Sequence, residues 1–221
     1  MRPDKVKTKE LFESVPTFLE PLFAEKEYPW QVLGEIGTYM ESLLENPPAG
    51  FTLLRDGILV GEGVTIHESA TILPPAIFGA GTEIRPNAYV RGNVITGEGC
   101  VIGNASELKN AVLLHKVQVP HYNYVGDSVL GNFSHMGAGA VCSNLKADGK
   151  EVIIHGIEDY PTGRRKVGAI LGDHADIGCG AVLNPGTVVG KHTSVYPLTA
   201  VRGVIQEHSI VKSMEQIAEK K

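Results

Sequence analysis

Between residues 60 and 114 an apolar residue returns every six positions: Val60, Ile66, Phe78, Ile84, Val90, Ile102, Leu108 and Leu114. Ile72 and Leu73 share one turn of the pattern, Thr96 is its polar exception, and small residues, Gly, Asn and Pro crowd the positions between. The period returns after a break at Leu171, Ile177, Leu183, Val189, Val195 and Val201. Six matches neither the 3.6-residue period of a helix nor the two-residue alternation of a strand. It matches a solenoid in which each face is one short strand and a turn, three faces closing a triangular coil of about eighteen residues. Stacked coils then bury the aliphatic columns. Ordinary strands in a sandwich mimic such a period over two or three repeats, not over two blocks of this length. The expected class is mainly β, a parallel β-helix.

Residues 1–50 read differently. Leu11, Val15, Leu19, Leu22 and Phe23 share one face at helical spacing, with Pro16 and Pro21 interrupting or ending the helix. A second helix is expected from Pro29 or Trp30 to about Glu45, facing inward through Val32, Leu33, Ile36, Met40 and Leu43 or Leu44, and ended by Asn46-Pro47-Pro48. Such a helical hairpin cannot bury its own stripe, so it is expected to lie on the solenoid or on a neighbouring subunit. The solenoid is expected over 51–205, with an inserted loop at 143–168 and a helical tail over 206–221.

The repeat softens between Val117 and Gly126, where a site requires side chains elsewhere. The stretch 143–168 breaks it altogether. That stretch carries a hairpin signal in LKADGKEVII, with the turn at Asp148-Gly149, and five cations: Lys146, Lys150, Arg164, Arg165 and Lys166. It is expected to fold over an anionic ligand with few buried contacts of its own; the plainer reading is a solvated charged loop. The three cysteines, Cys100, Cys142 and Cys179, form no CxxC pair and fall where a coil accepts a small residue. They read as buried thiols of a reducing cytoplasm, with a zinc site or a Cys nucleophile as the less favoured readings. A net charge of −5 gives no general electrostatic reason to bind nucleic acid. No apolar run suggests a membrane span, and the charged N-terminus does not read as a secretory leader.

His121 is the most informative of the eight histidines. It lies where the repeat loosens, with Tyr124 three residues on and Asn144 at the start of the long loop, and stacking one coil on the next brings such residues side by side. An imidazole titrating near neutrality is suited to take a proton from an amine that attacks a carbonyl. His135 is the ambiguous one; the remaining six read as corner or surface residues.

The segment IGNASELKNAVLLHKVQVPHYNYVGDSVLGNFSHMGAGAVCSNL, followed by DGK, TGRRKVGAILGD and NPGTVVG, resembles the glucosamine-1-phosphate N-acetyltransferase domain of bifunctional N-acetylglucosamine-1-phosphate uridyltransferases, in their archaeal-type branch. The resemblance covers roughly residues 58–205, and the combination of ELKN, H-x-x-Y-x-GD, GAG-x-x-x-x-N and TGRRK carries it. It implies a left-handed coil, three prisms packed in parallel as a homotrimer, and acetyl-CoA as the acyl donor with no metal needed for the transfer. By position it implies His121 as general base and Asn144 at the reacting amine and carbonyl, where it would help hold the oxyanion. Arg91 and Lys109 would hold the sugar phosphate, with Tyr124 and Lys150 at the acceptor. Ala138, Cys179 and, more loosely, Lys212 would contact the coenzyme. His135 stands where the bacterial form has asparagine, and Cys179 where it has serine.

The Gly-rich phosphate loop that opens the nucleotidyltransferase half of those relatives does not occur here, so no uridyltransferase activity is expected. The reading is therefore a cytoplasmic acetyl-CoA-dependent N-acetyltransferase acting on an amino-sugar 1-phosphate in nucleotide-sugar biosynthesis. A non-catalytic trimeric β-helix that binds a sugar phosphate or sugar nucleotide is the alternative, and a zinc hydratase of the same fold is disfavoured by the irregular histidine spacing.

Overall fold

The computed structural model describes residues 3–220. The chain winds as a parallel β-helix with three faces. The first face stacks Ile58–Gly61, Ala76–Phe78, Val94–Thr96, the second half of Glu107–Leu113, the second half of Tyr124–Leu130, Ala169–Leu171, Thr187–Val189 and Val204–Ile205. A second face runs from Thr65–Ile66 to Ser209–Ser213. The third holds Thr71–Leu73, Tyr89–Arg91, the first halves of the two long strands, Val141–Cys142, Val182–Leu183 and Ala200–Val201. The inward columns named from the sequence are buried in one continuous core, among them Phe78, Ile84, Val90, Ile102, Leu108, Leu171, Ile177 and Leu183.

One residue of the sequence pattern moves. Leu113, not Leu114, pairs with Thr96 and fills the inward slot, while Leu114 joins a second core outside the coil. The reason is a change of coil length. Upper coils repeat at eighteen residues, as between Ser69 and Asn87, but from Asn110 to Asp127 the repeat is seventeen. The lost residue lies at the corner between the third and first faces, so Glu107–Leu113 and Tyr124–Leu130 pass that corner as unbroken strands. Asn110 (φ 48°) and Asp127 (φ 47°) make the turn in the left-handed region, which short polar side chains tolerate better than most.

The second core explains the N-terminal segment. The outward column of the first face reads Leu59, Ile77, Ile95, Val112, Val129, Ile170 and Val188, and all are buried. Leu11, Leu19, Leu22, Phe23, Val32, Leu33, Ile36, Met40 and Leu43 cover it, as expected of the helical stripes. The expected first helix is reduced to the short turns Thr8–Leu11, Thr17–Leu19 and Glu20–Phe23, broken around Pro16; Pro21 is accommodated in the first turn of the last. The second divides into Pro29–Gly34, a 3₁₀ stretch, and the ten-residue helix Ile36–Glu45.

Two expectations fail at the ends of the pattern. The tail is a β-hairpin, Ser209–Ser213 against Gln216–Glu219, not a helix: β-branched Val211 extends the inward column below Val195, and the coil ladder captures the strand. In the inserted loop, Asp148-Gly149 makes only a turn, and the paired strands are Ile153–His155 and Asp159–Pro161. Val152, Ile154 and Val167 enter the second core and Tyr160 packs on Tyr28 and Trp30, so the loop is better anchored than its charge suggested. At the corner between the first and second faces, the rings of Phe133, His174, His192 and His208 stack at 4.8, 4.8 and 4.9 Å. No helix among the described residues is long and apolar enough to cross a membrane.

Candidate active site

Stacking gathers most of the residues expected from sequence on and around the third face; Lys150 on the inserted loop and Lys212 on the second-face strand Ser209–Ser213 stand apart. In one direction across that face lies the corner where Glu107–Leu113 and Tyr124–Leu130 turn. There Asn110 Nδ2 donates to Asp127 Oδ1 (2.9 Å), and Asn144 Nδ2 donates to Asp127 Oδ2 (2.5 Å) and to the Tyr124 hydroxyl (3.3 Å). Lys109 Nζ stands 3.9 Å from the same carboxylate, which is almost fully buried. Asp127 is thus the hub that fixes Asn144 and Lys109, although the sequence reading gave it no role. Its signal was present: Asn93, Asn110, Asp127 and Asn144 recur at seventeen-residue spacing, one per coil at one corner.

This arrangement alters one expectation. The N–H groups of Asn144 face a carboxylate, which only accepts, and a phenol. Its amide is therefore held with a side-chain oxygen that has no partner among the described residues, an acceptor suited to an N–H and unsuited to an oxyanion. Burial, with the nearby Asp127 and Glu107 carboxylates, raises the Tyr124 phenol above its usual range, so it remains a neutral O–H.

Arg91 extends from the next coil up, with Nη1 2.7 Å from Glu107 Oε1, an ion pair that holds the guanidinium firmly charged. The pair is exposed, so Arg91 remains open to a second anion. Lys150 is exposed on the loop, its N–H bonded to Asp148 Oδ1 (3.0 Å), and it does not line the cleft beside Lys109.

His121 lies at the other edge of the third face. Its backbone N–H donates to buried Asn123 Oδ1 (3.0 Å), and its imidazole is exposed with no hydrogen-bond partner among the described residues. The same corner continues down the helix. Gly139 N–H donates to the His121 carbonyl (3.0 Å), Gly180 N–H to that of Ala138 (2.8 Å), and Leu198 N–H to that of Cys179 (2.9 Å). Ala138 and Cys179 are both exposed on this edge, with Tyr196 beneath and Lys212 Nζ 6.0 Å from the Tyr196 ring. The coenzyme residues inferred from the motif therefore fall on one edge that starts at His121. Cys179 departs from the buried-thiol reading. Cys100 and Cys142 fit it, and burial pushes both thiols up to about 12, away from thiolate chemistry. His135 pairs with Asp176 on the second face at 2.9 Å, away from the third face. Among the described residues no group of three or more His, Cys, Asp or Glu is arranged to hold a metal ion.

Comparison with known proteins agrees with the motifs. A family model described as the GMPPB C-terminal domain matches residues 72–157. A protein named bifunctional protein GlmU from Methanococcus vannielii is 28% identical over 196 residues, 87% of this chain and 47% of the relative. A bifunctional sugar-1-phosphate nucleotidylyltransferase/acetyltransferase from Sulfurisphaera tokodaii is 31% identical over 145 residues, 65% of this chain and 36% of the relative. Among solved structures, PerB from Caulobacter crescentus, in complex with CoA and GDP-perosamine, aligns over 72% of this chain and 57% of its own at 18% identity and a TM-score of 0.43. The chain spans about half the length of the curated relatives it matches, 47% in the first case. It is, over most of its length, a homologue of bifunctional proteins of the GlmU type.

Proposed function

We propose that this chain is an acetyl-CoA-dependent N-acetyltransferase whose acceptor is an amino sugar carrying phosphate at its anomeric carbon. The observation that carries the reading is the spread of groups over the third face. A free imidazole stands at one edge, a phenol on the face, and an oriented amide carbonyl with Arg91 and Lys109 toward the other edge. Asn144 Oδ1 and Tyr124 orient the amine, His121 takes its proton as it attacks the thioester, and the two cations hold the phosphate dianion. Acetyl-CoA supplies the acyl group, and the edge of Ala138, Cys179 and Lys212 is where its arm would run. The GlmU-type relatives support the reaction class.

The reading includes a homotrimer. Leu73, Tyr89 and Val182 leave apolar surface exposed on the third face, and the His121 ring lacks an orienting partner that a neighbouring prism would provide. A panel of amino-sugar 1-phosphates assayed with acetyl-CoA by thiol release tests the reaction, and light scattering tests the trimer. Thiol release on none of the panel would end the first reading, and a stable monomer at micromolar concentration the second.

A further inference from the structure

Beyond Lys109 the third face does not end in open solvent. A cleft of about 1080 Å³ lies there, walled by the helix Ile36–Glu45, the coil corner and the inserted loop. Its lining includes Lys109, Arg164, Arg165 and Lys166, with Leu33 and Leu145 as apolar walls. None of the three loop cations has an acidic partner among the described residues; Arg165 Nε only donates to the Gly149 carbonyl (2.8 Å). Arg164 Nε is buried with no hydrogen-bond partner among the described residues. Its guanidinium lies over Gly34, where a Cβ would meet Nη1 at 2.6 Å, so the glycine leaves room for the arginine. The acids at the cleft are Asp127, already engaged by two amides, and Glu41. A buried, unpaired guanidinium nitrogen beside three more cations is costly unless an anion completes it.

We infer that this cleft binds the nucleoside diphosphate portion of the acceptor, so that the substrate is a nucleotide-linked amino sugar. The inference rests on the acetyltransferase reading above. Arg91 and Lys109 already suffice for one phosphate; three further cations call for a second. The volume exceeds that of a phosphate and matches a larger ligand. Exposed Leu145 offers an apolar surface to a base. Lys109 belongs to both the face and the cleft, which sets the first phosphate at their junction. The sugar then extends back across the face, past Tyr124, toward His121.

Calorimetry on the full chain with uridine diphosphate and guanosine diphosphate, each alone, tests this without any acetyl transfer. Arg165→Glu with Lys166→Glu, two exposed side chains, is expected to weaken binding of the preferred diphosphate by about tenfold or more. In transfer assays the same variant should lose at least about tenfold more kcat/KM toward the nucleotide-linked acceptor than toward the sugar 1-phosphate. Gly34→Ala, which displaces Arg164, provides a second variant with the same expected direction and no change of charge. The inference is overturned if neither diphosphate binds, if pyrophosphate binds as well as they do, or if the double variant weakens only coenzyme A. If a diphosphate binds through these cations but no amino sugar is acetylated, the reaction falls and the cleft assignment stands.

Discussion

The first and third faces belong to the same coils and share two strands, Glu107–Leu113 and Tyr124–Leu130, yet they differ in what points outward. On the first face the outward column is aliphatic from Leu59 to Val188, and the N-terminal segment covers it. On the third it reads Leu73, Tyr89 and Arg91, then Glu107, Lys109 and Tyr124. The inward columns of both faces are equally buried. The coil is thus indifferent to its outer residues, and those residues alone decide whether a face becomes a wall of the core or a place for chemistry. The corner between the two is where packing ends and polar side chains begin.

The sharpest separation of the two faces is catalytic. His121→Ala should cut amine acetylation by about 10²–10⁴-fold while thermal unfolding stays at the wild-type temperature. Activity within a few-fold of wild type would assign the base elsewhere. The reverse experiment is Ile95→Ala on the covered face, expected to cost about 2–5 kcal/mol in denaturant unfolding. Thr71→Ala, at an exposed position on the open face, should cost within about 0.5 kcal/mol. Equal costs would mean that the open face is itself packed in solution. Arg91→Ala and Lys109→Ala should each remove about 1.5–3 kcal/mol of acceptor binding, read as a raised acceptor KM with the acetyl-CoA KM unchanged.

Smaller effects come from the far corner. Burial, then the flanking His174 and His208, lowers the His192 pKa, against a raising contribution from Glu13 and with a further lowering one from Lys191. The unfolded chain therefore binds a proton there more readily, and stability is lost as pH falls below about 6.5. Melting temperature should decline from pH 7 to 5, and His192→Phe, extending the ring stack begun by Phe133, should flatten that decline. The smallest readout is thiol accessibility: one cysteine, Cys179, should react with a thiol reagent in the native protein, and three after unfolding.

The inward residues were legible in the sequence because a coil interior admits only apolar or small side chains, and six-residue spacing is enough to number them. The slip from Leu114 to Leu113 was not, because both leucines are buried, one on each side of the same wall. The tail was misread because EHSIVKSMEQIAEKK has helical composition, and only the unfinished ladder below Ser194–Val195 shows why it pairs instead. His121, Tyr124 and Asn144 were placed by motif. The motif contained Asp127 but gave it no role, because its bonding depends on three neighbours from other coils and on a burial that no local pattern records. The loop's charges were legible, but not its anchors: Val152 and Ile154 look like an ordinary hairpin until the second core receives them.

The seventeen-residue coils give the site an address. It is specified by a coil number and a corner, and it is made by leaving a residue out. Moving that omission one coil toward either end would carry the whole polar ladder with it by one strand spacing, about 4.8 Å, and would require no new element. Restoring a residue after Lys109 would do the opposite: the chain would keep its fold and lose its location for chemistry.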